Sequence, residues 1–253
     1  MKKLGGFVEG FILFALGLAM SGLVKSDNYW LYLNPKFKWL TLITGIVLML
    51  LGLIAAVRNR RPNLSRIVVF LVFGSIAGVG YLMPNPTAPA FSSSLTESAN
   101  ANKVESRLTL GGQEFIKINL GELFNISEME EANEIGEHYV TRGVVKRSPE
   151  LDEKGQFVLF RVFMWCCFAD AVAVGFRVSY DHPHELQDGQ WAKVYGKLRQ
   201  LPSKLPEPNV PVRGITSKAL NKVYGIAAHK VEEIDPPPIP FMFEFRKSEP
   251  YAY

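Results

Sequence analysis

Residues 161–176, RVFMWCCFADAVAVGF, form an apolar run interrupted by Arg161, Asp170 and the adjacent pair Cys166 and Cys167, the only two cysteines of the chain. The wider segment 157–176 has the roughly 20 residues that a helix needs to cross a bilayer. Arg161 and Asp170 argue against a span, because each would cost about 2.5–3.5 kcal/mol at membrane depth. The residues between them are aromatic and β-branched, and Ala169-Asp170-Ala171 offers a turn. The run therefore reads as two neighbouring strands, 156–168 and 172–180, apolar throughout because both faces are covered. On this reading Cys166 and Cys167 end the first strand beside the turn.

Outward from this run, the strand pattern continues on both sides. Residues 115–120 alternate, and 125–136 form an acidic stretch that reads as helical. Residues 139–147, 190–201 and 223–234 are further strand candidates. Five or six short strands with glycine-containing turns predict a small closed β-barrel or sandwich. Tyr139-Val140-Thr141-Arg142-Gly143-Val144-Val145 and the stretch 189–198 look like the first and later strands of an OB-fold, in which a mid-strand glycine lets the strand bend. Residues 202–216 read as a proline-rich loop. The closing stretch, PPPIPFMFEFRKSEPYAY, is too aromatic for a solvated tail and is expected to pack on the domain or on a partner.

The N-terminal part is of another kind. Three apolar stretches, 7–24, 37–57 and 67–83, each approach the length of a membrane-spanning helix. The expected organisation is a transmembrane region over 1–83, a flexible linker over 84–104 rich in Pro, Ser, Ala and Asn, and a soluble barrel over 105–253. The fold class is thus an α+β membrane protein, three helices followed by a small all-β, OB-like barrel. Small residues at Gly6 and Gly10, Ala15 and Ala19, and Gly74 and Gly78 are spaced for close helix packing. Glu9, in the first turns of the first span, is expected to reach the cytoplasmic interface.

Charge gives orientation. Lys2, Lys3, Arg58, Arg60, Arg61 and Arg66 flank one side of the predicted spans, against Lys25, Lys36 and Lys38 on the other. The positive-inside rule then puts the N-terminus in the cytoplasm and, after three crossings, the barrel outside, in a multi-pass protein of the cell membrane. Tyr29, Trp30, Tyr32 and Trp39 fit an aromatic belt at the outer ends of the first two helices. Residues 1–83 carry nine basic and two acidic side chains, a net of +7; since the whole chain is +4, residues 84–253 are −3. A net acidic barrel facing outward argues against nucleic-acid binding.

The run RVFMWCCFADAVAVGF resembles the signature of the YcgQ-like family of permease subunits, a vicinal cysteine pair followed by Ala-Asp-Ala and Val-Gly. Tyr32-Leu33-Asn34-Pro35-Lys36 is similar to that family's Tyr-x-His-Pro-Arg element, with Asn34 where a histidine is usual. The resemblance implies a membrane-anchored accessory subunit that works beside a polytopic permease of the YraQ or ArsP type, in contact with the lipid bilayer. It brings no catalytic residues.

Among candidate sites, Cys166 and Cys167 with Asp170 stand out. The pair suits a thiophilic metal ion or metalloid, or a redox dithiol, provided that the backbone turns there. It also suits two buried cysteines packing as small apolar residues. His182 and His184, with Asp181 or Glu185, could hold a metal, although Pro183 favours a solvated turn. Asp170 could pair with Arg161 or cap the turn through its amides. No nucleophilic triad, phosphate-binding loop or dinucleotide fingerprint stands out, so no enzymatic activity is expected. Three functions remain: a permease accessory subunit, a metal-binding or thiol-redox membrane protein using the vicinal cysteines, or a purely structural interaction module.

Overall fold

The computed structural model describes residues 2–57, 68, 106–129, 136–181, 186–202 and 215–253, with backbone alone for residues 2–5. The predicted third helix over 67–83 and the linker over 84–104 lie outside the described residues, residue 68 apart. The chain divides into two compact units, Met1–Ala90 and Phe91–Tyr253.

In the first unit, α1 (Lys2–Lys25) and α2 (Lys38–Val57) form a helical hairpin. The stretches Gly6–Lys25 and Pro35–Val57 are long and apolar enough to cross a membrane. The helices meet on glycine. A Cβ added to Gly10 would run into the Gly52 carbonyl and lie 2.6 Å from the Ala56 nitrogen, and one at Gly17 would meet the Gly45 carbonyl and Met49. The face used is therefore Gly10 and Gly17 against Gly45 and Gly52. This corrects the expected spacing: Ala15 and Ala19 are exposed, and Gly74 and Gly78 lie outside the described residues. The cause is geometric, since a step of seven residues returns to the same helix face over two turns. Leu40, Ile43, Val47, Leu50 and Ile54 of α2 stay exposed, an apolar outer face of the kind a membrane-spanning helix presents to lipid. Glu9 is buried in the hairpin, not at its surface.

Two short 3-10 turns, Tyr29–Leu31 and Pro35–Phe37, join the helices. Asn34, where the resemblance would place a histidine, is buried and caps the second turn by accepting the Lys36 amide at 3.1 Å. Tyr29 Oη bonds Thr41 Oγ1 at 2.8 Å, and both Tyr29 and Trp30 are buried. They are packed within the loop, whereas Trp39 is open to the surroundings.

The second unit is a closed five-stranded barrel with added strands. Its barrel strands are β3 (His138–Lys146), β4 (Gln156–Phe163), β5 (Val172–Ser179), β6 (Trp191–Gln200) and β8 (Tyr224–Glu233). Antiparallel pairs join β3 to β4, β4 to β5, β6 to β8 and β3 to β6, and a parallel pair joins β5 to β8, so the circuit runs β3-β4-β5-β8-β6-β3. A hairpin of β1 (Arg107–Leu110) and β2 (Gln113–Lys117) adds to the start of β3, and β7 (Ser217–Leu220) lies along β5.

Local chemistry explains the closure. β3 leaves β6 to pair with β4 near Gly143, where a Cβ would stand 2.7 Å from the Phe160 carbonyl. A bulge between Tyr195 and Gly196 bends β6 where Gly196 lies tight against Ala227. Phe157, Leu159, Phe176, Val178, Val145, Ala192 and Val194 fill the core. Val158, Phe160 and Ala173 pack on the opposite face, which is why 156–178 is apolar without alternation.

α3 (Leu120–Met129) lays Leu120, Leu123 and Ile126 into the main core. It begins where sequence placed the end of a strand, and its last residues, 125–129, are the start of the acidic stretch expected to be helical, of which 130–135 lie outside the described residues. Asn119 and Glu122 set that start by reciprocal capping: Asn119 Oδ1 accepts the Glu122 amide at 2.9 Å, and Glu122 Oε2 accepts the Asn119 amide at 3.4 Å. A short helix, α4 (Pro149–Asp152), connects β3 to β4. The aromatic C-terminal stretch packs on the barrel, with Met242 and Tyr251 in the core.

The cysteine turn as candidate functional site

β4 ends at Phe163, five residues earlier than the sequence reading placed it. Met164, fully buried, is anchored by its amide to the Met242 carbonyl at 3.0 Å, and the chain then leaves the sheet. Cys166 and Cys167 therefore lie in the connection between β4 and β5, followed by a 3-10 turn, Phe168–Asp170. This removes the constraint of a strand, in which neighbouring side chains point to opposite faces.

Asp170 shapes the turn. Its Oδ1 accepts the amide of Trp165 at 2.9 Å; its Oδ2 accepts those of Cys166 at 2.7 Å and Cys167 at 3.4 Å. Its own amide donates to the Cys167 carbonyl at 3.0 Å. With three consecutive amides folded toward one carboxylate, the two thiols come to the same side, Sγ to Sγ at 3.4 Å. One ligand atom from each of Cys166, Cys167 and Asp170 lies within 4.8 Å of the others. Among the described residues no other group of three or more His, Cys, Asp and Glu has such spacing.

The electrostatics follow from these contacts. Hydrogen bonding to Asp170, then to Cys167, pushes the Cys166 thiol up to about 12. Burial works against the charge of Asp170, but the Cys166 thiol and the three amides outweigh it and hold the carboxyl below its ordinary range. The resting turn thus combines an ionised carboxylate with a protonated thiol. Both cysteines are free and partly exposed, and Trp165 and Phe168 stand exposed on either side of them.

Arg161 does not pair with Asp170. It is buried and donates to the carbonyls of Pro240 at 2.9 Å and Ile239 at 3.2 Å, with its guanidinium over the Trp191 ring. Its role is to hold the C-terminal stretch along β4. Of the two alternatives for Asp170, the structure has the amide cap. His182 and His184 lie outside the described residues. The contribution of Met242, which bridges to Phe163 and fixes the base of the turn, was not legible in sequence. The spacing of Cys167 and Asp170, first and fourth positions of a capping box, was a signal for the turn's geometry.

Fold and site together define a class: a chain with an apolar helical hairpin and a separate closed β-barrel that carries an exposed dithiol turn braced by a carboxylate. More narrowly, the chain belongs to the family defined by the DUF1980 C-terminal domain, whose model matches residues 88–224, more than half of its length, including the whole cysteine turn. No curated protein and no solved structure matches the chain.

Proposed function

We propose that this chain is a non-catalytic, membrane-anchored accessory subunit that captures a thiophilic ion between Cys166 and Cys167, beside a multi-pass permease. The observation that carries the reading is the pair of sulfurs 3.4 Å apart on an exposed turn. Soft thiolate donors on a partly open surface select thiophilic ions over hard cations. The family match fits the YcgQ-like resemblance, from which the permease partner is taken.

The barrel circuit supports an OB-like reading: three antiparallel strands in succession, a parallel contact between third and fifth, and antiparallel closure through the fourth. OB-folds bind ligands on the face of their second and third strands. Here those strands are β4 and β5, and the cysteine turn is the loop that joins them.

Ion capture is favoured over a redox dithiol by chain geometry. Adjacent Cα atoms stand about 3.8 Å apart, short of the 4.4–6.8 Å usual for a disulfide, so oxidation of this pair would have to distort the turn.

The test is cadmium uptake by the full chain in detergent, reduced and metal-free at the start. The wild type should bind one ion per chain and the Cys166→Ser/Cys167→Ser variant none, with unchanged far-ultraviolet dichroism. Equal uptake by the two proteins would sink the reading. Co-purification of a polytopic partner from solubilised membranes tests the permease part.

A further inference from the structure

We infer that the Cys166–Cys167 turn is built for a trivalent, pyramidal ion delivered as a neutral metalloid hydroxide, held by two sulfurs, with its third position open and Asp170 outside its coordination shell. This rests on the ion-capture reading above and narrows it to one class of ligand.

The first argument is the bite of the two sulfurs. With metal–sulfur bonds of about 2.3 Å, a tetrahedral centre spreads its sulfurs to about 3.8 Å and a linear one to about 4.6 Å. At the observed 3.4 Å, a hydrogen-bonded spacing of the two thiols, the sulfurs would subtend close to a right angle at bonds of that length, the angle of a pyramidal trivalent centre carrying a lone pair.

The second argument is the donor count. A structural zinc site takes four protein ligands. Only Asp170 joins the cysteines among the described residues, and its two oxygens already accept three backbone amides and the Cys166 thiol. Turning Asp170 onto an ion would release the amides that bring the thiols together, so it positions the sulfurs and does not ligate.

The chemistry balances without an added base or oxidant. Each thiol gives its proton to one hydroxide of the metalloid, which leaves as water. Two S–H and two M–OH bonds break, two M–S bonds and two waters form, and the third hydroxide stays on the ion, whose oxidation state is unchanged. That remaining hydroxide is the position at which an acceptor thiol can take the ion over.

The experiment uses the full chain in detergent, reduced, titrated separately with arsenite, zinc chloride and cadmium chloride. Arsenite should bind once per chain, at least about 10-fold more tightly than zinc, with near-ultraviolet sulfur-to-arsenic absorption and two sulfur neighbours by X-ray absorption. Cys166→Ser and Cys167→Ser should each weaken arsenite binding by about 100-fold, while Asp170→Asn, which keeps an acceptor oxygen, should retain both sulfur neighbours with a loss of no more than about 10-fold. Zinc or cadmium bound more tightly than arsenite, with both cysteines required, would overturn the metalloid class and leave thiophilic capture standing. A loss of about 100-fold or more in a folded Asp170→Asn protein that keeps both sulfur neighbours would make Asp170 a ligand and overturn its positioning role. Failure of all three ions to bind would remove both readings together.

Discussion

Asp170 Oδ2 accepts the backbone amide of Cys166 at 2.7 Å while the same carboxylate takes the thiol hydrogen bond of that residue. One side chain thus sets both where Cys166 points and how readily it ionises. The thiol is pushed up to about 12, so at neutral pH it is protonated.

Slow alkylation of Cys166 follows. Iodoacetamide attacks the thiolate, so the modification rate at pH 8 should be far below that of a free cysteine and should climb as the pH approaches 12. Asp170→Asn removes the charge that disfavours the thiolate, lowers the thiol's pKa and should speed alkylation at pH 8 by about 10-fold or more, at about tenfold per pKa unit. Mass spectrometry of the Cys166 peptide over a pH series reads this directly. An unchanged or slower rate in the variant would contradict it.

The C-terminal stretch should depend on one buried carboxylate. Glu122, 1% exposed, accepts the amides of Arg246 at 2.7 Å and Ala252 at 3.1 Å through Oε1, besides its cap of α3. Glu122→Ala orphans these donors and should cost about 2–4 kcal/mol in urea unfolding of the barrel. Glu122→Gln, which keeps an acceptor, should cost less.

The same residue predicts a pH dependence. Burial pushes the Glu122 carboxyl above its ordinary range, against the amides of Ala252, Arg246 and Asn119 that pull it down. The folded state therefore holds this proton to higher pH than the unfolded chain does. Its stabilising contribution is complete below the unfolded value, near 4.5, and is lost as pH rises through the folded one. The Glu122→Gln variant should lack this component when unfolding midpoints are compared between pH 4.5 and pH 8.

The helical hairpin should be intolerant of bulk at its crossing. Gly10→Leu or Gly52→Leu places a side chain where a single Cβ already comes within 2.6 to 2.8 Å of the facing helix. A loss of about 1–3 kcal/mol is expected. It would be read as a lower denaturant midpoint in detergent, and Gly22→Leu, whose added Cβ meets nothing within 4 Å, is the matched control.

Orientation is tested by labelling. A membrane-impermeant maleimide added to intact cells at raised pH should reach Cys166 or Cys167 if the barrel lies outside, while a cysteine introduced at position 59 should react only after lysis. Both sites reacting only after lysis would mean an even number of crossings before the barrel, and the reverse pattern would mean an inverted orientation.

Much of this molecule was legible in its sequence because the signals are local. The apolar lengths of α1 and α2 need no partner to be recognised, since each lies in one continuous stretch of sequence. β3, β6 and β8 fall close to their predicted bounds because strands bounded by glycine and turn residues carry their own punctuation. The start of α3 was misread although its Asn119-x-x-Glu122 cap is present, because the preceding alternation at 115–118 was extended two residues too far.

What sequence determined by itself is therefore the division into an apolar helical part and a β part, and the composition of the turn that carries both thiols. Tertiary structure alone decided that the thiols face one way. Adjacent residues in a strand diverge, and only the capture of three amides by Asp170, on a base fixed by Met164 and Met242, folds Cys166 and Cys167 together. It also decided the partner of Arg161, whose carbonyl acceptors lie nearly eighty residues away in the chain, a separation over which no local pattern carries information.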